Sequence, residues 1–172
     1  MQNIARYFWQ LCLFRAEPAH SPGSPFALVA TGTVYCLLTV VTLSIGRGFG
    51  AYEIALTVST GIAIQATGLY ILLIIGGVTR RFLPAMTALF GANSVILLIA
   101  LPMNAYLAIV PENALHLLVK TLFLAALIWW IAISGFILQR SAKITMLQGV
   151  AMAFGIEMLT TMATYQLVGG QD

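Results

Sequence analysis

The chain has 172 residues, 60% hydrophobic and only 8% charged, where a soluble globular domain carries roughly 25% charged residues. A water-soluble fold of this size could not cover so much apolar surface, and a formal charge of +3 from eight Lys and Arg is too sparse for a nucleic-acid surface. The composition predicts an all-α fold, a polytopic membrane bundle of about five transmembrane helices with the lipid bilayer as its first partner.

Residues 1–25 form a cytoplasmic segment. Within it, residues 3–15 read as an amphipathic helix. Ile4, Tyr7, Phe8, Leu11 and Phe14 recur at helical spacing, with Asn3, Arg6 and Gln10 on the other side. Tyr7 and Trp9 suit the headgroup layer and Arg6 and Arg15 flank the apolar face, so this helix is expected to lie on the membrane interface. With an arginine near each end and no small-residue cleavage site, the segment does not read as a cleaved signal peptide. Pro18, Pro22, Gly23 and Pro25 then make a non-helical linker. Ser24 followed by Pro25 is a cap and first-turn pair for the next helix.

The transmembrane domain occupies residues 26–168, with spans at about 26–45, 54–78, 85–110, 114–138 and 144–168, each able to cross a core of roughly 30 Å. Gly46, Gly48 and Gly50 break the chain after the first span, and residues 79–84, ending in Pro84, separate the second from the third. Pro102 should kink the third span by removing one backbone donor. Pro111, Glu112 and Asn113 make a short turn in which Glu112 faces the positive end of the fourth helix. Gln139 to Lys143 is the next turn, and residues 169–172 are a short external tail. Loops this short make successive helices antiparallel neighbours. With the N-terminus in the cytoplasm, Arg6, Arg15, Arg80, Arg81, Arg140 and Lys143 all lie inside and Arg47 alone among the basic side chains assigned to loops lies outside. That positive-inside pattern implies a C-terminus on the far side, periplasmic if the membrane is a bacterial inner membrane.

Two charged residues remain at membrane depth, Lys120 in the fourth span and Glu157 in the fifth. A charge at a helix centre costs about 2.5–3.5 kcal/mol on insertion scales, so each needs a partner or a wet cavity. Helical rise puts Glu157 and Gln65 near the mid-plane and Lys120 roughly 6–9 Å nearer the outside, where its stem reaches inward or snorkels outward. Thr57, Gly61, Gln65 and Gly68 share one face of the second span. Gly149, Ala153, Glu157, Thr160 and Thr164 share one face of the fifth. Small residues at that spacing let helices approach closely. The expectation is an intramembrane polar cluster of Glu157, Lys120, Gln65 and Asn93. It acts either as a helix-packing pin, with protonated Glu157 bonded to Gln65, or as a proton or substrate site.

The other chemistry-bearing residues take plainer readings. His20 and His116 are too few and too far apart for a metal or haem site, and His116 reads as an interfacial polar residue. Cys12 and Cys36 lie at different depths and are not expected to pair, Cys36 being a buried apolar thiol. Met146, Met152, Met158 and Met162 read as lipid-facing or gap-filling residues. Trp129 and Trp130 lie too deep for an interface belt and should pack against lipid or a partner. No cofactor is expected.

Five short-looped spans after a short aromatic, proline-containing cytoplasmic segment resemble the layout of Yip1-like membrane proteins. Arg81, Phe82, Leu83 and Pro84, with Ala88, Leu89, Phe90 and Gly91, are similar to small bacterial inner-membrane proteins of that type. The resemblance covers most of the chain as topology and carries over no catalytic residue; the longer acidic and aromatic cytoplasmic signature of the eukaryotic members is absent. The function expected is non-enzymatic: an inner-membrane accessory or scaffold protein bound to other membrane subunits or to itself, with no nucleic-acid partner. The alternative is a small transporter or channel subunit using Glu157 and Lys120. A lipid-acting enzyme would need an acid–base pair near Arg80 and Arg81, where only Glu17 and His20 are on offer.

Overall fold

A computed structural model describes residues 4–18, 21–46 and 50–168. His20, Asn3, Arg47 and the tail at 169–172 lie outside the described residues. Among the described residues six helices follow in order: α1 (Ile4–Cys12), α2 (Pro25–Gly46), α3 (Ala51–Ile75), α4 (Phe82–Ile109), α5 (Ala114–Ala142) and α6 (Met146–Val168). A 3-10 turn at Thr79–Arg81 leads into α4. The helices α2 to α6 are long and apolar enough to cross a bilayer, so the chain is a multi-pass membrane protein.

Local sequence explains most of the helix ends. Ser24 Oγ accepts the Ala27 N–H at 3.1 Å, as the Ser–Pro pair predicts. Glu53 reaches back to the Gly50 N–H at 2.8 Å, which starts α3 three residues before the expected boundary. Thr145 and Gln148 form a reciprocal cap on α6, each side chain accepting the other's backbone N–H. The turn expected at 139–143 is displaced. The helix α5 runs on through Gln139 and Arg140 to Ala142 and stops only at Lys143, which takes a left-handed conformation at φ 59°. Gln139 and Arg140 are good helix formers, so polarity alone is a poor stop signal there. The helix α4 continues through Pro102, the expected kink site.

The helix α4 is the central element, packed by α2, α5 and α1, while α3 and α6 pair on the other side of the bundle. Its first half, from Ala85 to Ser94, is continuously buried. The helices α2 and α6 are peripheral and present most of their surface outward. Met152, Met158 and Met162 point out from α6, as expected for lipid-facing side chains. Where helices cross, glycine permits the approach. A Cβ on Gly149 would collide with the Gly135 carbonyl of α5, and one on Gly68 would come within 2.9 Å of Ile156 on α6.

Candidate functional site: polar groups at membrane depth

The N-terminal helix is where structure and expectation part first. Phe8, Leu11 and Cys12 are buried, and their cover is α4. The Phe8 ring fills the space beside Gly91 that a side chain would take. Gly91 lies nine residues into α4, about 14 Å along its axis from Phe82. The apolar face of α1 is therefore divided: Phe8 and Leu11 are buried, while Ile4 and Phe14 of the same face stay exposed. Its middle is docked on the bundle, because Gly91 leaves the space that the Phe8 ring takes. Of the four residues assigned to the interface, Arg6, Trp9 and Arg15 are exposed. Tyr7 is half-buried, and its hydroxyl donates to the Glu17 carbonyl at 2.8 Å. Burial pushes its pKa up to about 12. Phe14, at φ 60°, turns the chain back, and the Arg15 N–H closes on the Gln10 carbonyl at 2.9 Å.

Two tryptophans hold this arrangement. Trp129 Nε1 donates to the Cys12 carbonyl at 3.0 Å, satisfying an acceptor at the end of α1. Trp130 Nε1 donates to Asn93 Oδ1 at 2.7 Å, tying α5 to α4. Sequence reading assigned these rings to lipid or a partner. Their depth was legible but the polar edge of each indole, which demands an acceptor when buried, pointed inward. Asn93 is 1% exposed and belongs to this group rather than to the Glu157 cluster. Its Nδ2 has no hydrogen-bond partner. Burial pushes the Cys12 thiol up to about 12.

Lys120 is the second correction. Its Nζ lies 3.1 Å from Glu112 Oε1, on an exposed surface at the end of the bundle where α5 begins. The lysine snorkels outward, and the hydrogen bond from it is the main cause that lowers the Glu112 pKa. His116, one turn before Lys120, faces the other way. It is buried, lies against Tyr106 and accepts the Asn113 N–H on Nδ1 at 3.4 Å, completing a cap on α5.

Gln65 and Glu157 are brought together as expected. They line one recess with Ser134, among Leu69, Leu89, Leu138, Ala153 and Ile156, so α3, α4, α5 and α6 all contribute. The two small-residue stripes read from the sequence meet at Gly61 and Thr160, while Gly149, the first residue of the α6 stripe, packs on Gly135 of α5. A Cβ on Gly61 would sit 3.4 Å from Thr160, one turn from Gln65. Gln65 and Glu157 do not hydrogen-bond each other, so the pin expected between them is not formed. Ser134 was not singled out from the sequence; a serine in an apolar helix gives no signal until its neighbours are known. Among the described residues no group of three His, Cys, Asp or Glu is placed to hold a metal ion.

At the opposite end of the bundle, Arg81 donates to the Arg140 carbonyl at 3.2 Å and the Ser141 carbonyl at 3.4 Å. It thereby caps the C-terminus of α5, where a cation also meets the negative end of the helix dipole. Asn104 Nδ2 donates to the Thr42 carbonyl at 3.0 Å, tying α4 to α2.

No protein-family model matches the sequence, no curated protein is similar to it, and no solved structure matches its fold.

Proposed function

We propose that the protein is a non-enzymatic accessory or scaffold subunit of a bacterial inner membrane. In this reading the N-terminus is cytoplasmic, the C-terminus periplasmic, and the partners are other membrane proteins. The observation that carries the reading is how three of the polar side chains at membrane depth are engaged. Trp129, Trp130 and Asn104 each tie one helix to another, and Arg81 does the same at the membrane edge. The recess at Gln65 and Glu157 has room for about one water, against the several hundred Å³ of an organic-ligand pocket. A rigid bundle with a broad apolar exterior on α2 and α6 suits attachment to neighbouring subunits. The Yip1-like layout agrees with such a role. The competing transporter reading loses Lys120, which pairs with Glu112, and keeps only the recess.

Gentle extraction followed by native mass spectrometry tests the proposal. The expected result is a hetero-complex of fixed stoichiometry containing a second membrane protein. A population of this chain alone, as monomer or homo-oligomer, would contradict it.

A further inference from the structure

Contacts to two helices fix the depth at which α1 docks. The Phe8 ring lies beside Gly91, about 14 Å along α4 from Phe82. The Cys12 carbonyl accepts the Trp129 indole, and Trp129 is about 20 Å along α5 from Ala142 and about 14 Å from Lys120. Polar residues mark both membrane edges, Arg81 and Arg140 at one and Glu112 and Lys120 at the other. Cys12 is therefore held near the middle of the membrane. Phe8 and Cys12 are one turn apart on α1, yet they meet adjacent residues of α4, Gly91 and Ala92. So α1 runs across α4 rather than along it, and Arg6 lies at the depth of Phe8.

That depth suits the docked face of α1 and not its outer one. Arg6, Trp9 and Leu13 share the outer face at three- and four-residue steps, and all three are exposed. Among the described residues no carboxylate pairs with Arg6, and the indole bonds are those of Trp129 and Trp130, so the Trp9 N–H meets no acceptor. A guanidinium at this depth needs a partner or water. The Arg6 stem is too short to carry its charge to either edge, unlike that of Lys120, which starts beside one. Arg15 is placed differently. The chain turns at Phe14, whose ring lies on Phe136, and has reached Arg81 and Ser141 by Pro18.

What covers the outer face follows from what the middle of a bilayer can offer. Lipid chains carry no acceptor, and their phosphates lie at the polar edges. A second copy of this chain does not supply the counter-charge. Its carboxylate at matching depth, Glu157, lines a recess with room for about one water, too small for a guanidinium. The remaining source is a helix of another membrane protein. Arg and Trp are also the side chains over-represented where binding energy concentrates at an interface.

We propose that Arg6, Trp9 and Leu13 form the seat for a transmembrane helix of a second protein, one that carries Asp or Glu near the middle of its span. The carboxylate pairs with Arg6, a polar group one turn away accepts the Trp9 indole, and Leu13 packs on the apolar remainder. The inference rests on the accessory reading and names the surface that faces the partner.

The test is photo-crosslinking in the native membrane, with a benzophenone amino acid in place of Trp9 in the full chain. Peptide mass spectrometry should map the adduct to a transmembrane span of another protein, within about one turn of an Asp or Glu. Arg6→Glu should cut the adduct about tenfold, while Cys12 stays as slow toward maleimide as in the wild type because α1 remains docked. Replacing the partner's acidic residue with arginine should restore the adduct in the Arg6→Glu chain. An adduct on phospholipid alone, on a second copy of this chain or on a span without an acidic residue would overturn the proposal, as would no adduct or one that Arg6→Glu leaves unchanged. In native mass spectrometry, a hetero-complex that survives Arg6→Glu intact would overturn this seat and leave the accessory reading standing. A wild type with no hetero-complex would overturn both.

Discussion

A Cβ at Gly91 would enter the space of the Phe8 ring, and one at Gly149 would strike the Gly135 backbone. The two sites should respond differently. At Gly91 the ring can swing aside, so Gly91→Ala should cost about 1–3 kcal/mol and loosen α1 selectively. At Gly149 the obstacle is main chain, so α5 and α6 must separate, and Gly149→Ala should lower the melting temperature more. Cys12 reports on the first case. Its thiol, buried and raised from 9.0 to about 12, should resist maleimide at neutral pH, and Gly91→Ala should speed its labelling. The sign for pH follows from linkage. The docked state holds the thiol proton more tightly than the free chain does, so its contribution is complete below pH 9 and is lost as pH rises from 9 toward 12. Trp130→Phe should cost about 1–3 kcal/mol in thermal unfolding, because it leaves Asn93, already short of one partner, with none. Lys120→Gln should leave folding unchanged, since its ion pair with Glu112 is solvent-exposed. A marked loss of stability there would revive a buried role for Lys120.

At the level of elements, α1 is an integral part of the bundle rather than an appendage. Deleting residues 1–17 removes the Phe8 contact with Gly91 and the Trp129 bond to Cys12, and it uncovers the buried first half of α4. The truncated chain should therefore melt lower in detergent than the full chain, whatever it binds; an unchanged melting curve would mean that α1 docks without stabilising. The existence and number of the long helices were legible from apolar runs punctuated by Gly and Pro, because the bilayer demands unbroken helices of a set length. The α3–α6 seam was legible in part, since Gly61, Gln65 and Gly68 and Ala153, Glu157 and Thr160 fall at helical spacing, while Gly149 of the same α6 stripe packs on α5 instead. What was not legible is which face of α1 meets protein and which lipid. An amphipathic pattern is the same in both cases, and only the space beside Gly91 decides. Nor could helical spacing choose between inward and outward reach for Lys120, whose long stem allows either. Asn93 was correctly placed near mid-membrane but assigned to the wrong neighbours, because depth fixes height and not the side of the helix faced.

For the whole molecule, the arrangement joins two regions of different character. Around α1, α4 and α5 the indoles of Trp129 and Trp130 tie the helices together, with Asn93 Nδ2 alone of that group left without a partner. Along α3 and α6 polar groups stand unpaired on a seam of small residues. All of this presupposes five crossings, with the Arg81 and Lys143 end in the cytoplasm and the Glu53 and Glu112 end outside. Single cysteines at Arg80, Lys143, Glu53 and Glu112, each in a Cys12→Ser, Cys36→Ser background, test it with a membrane-impermeant maleimide applied to cells whose outer membrane has been opened. The account predicts labelling of Glu53→Cys and Glu112→Cys from outside, and of Arg80→Cys and Lys143→Cys only after the inner membrane is broken. Labelling of Arg80→Cys and Glu112→Cys from the same side would contradict it.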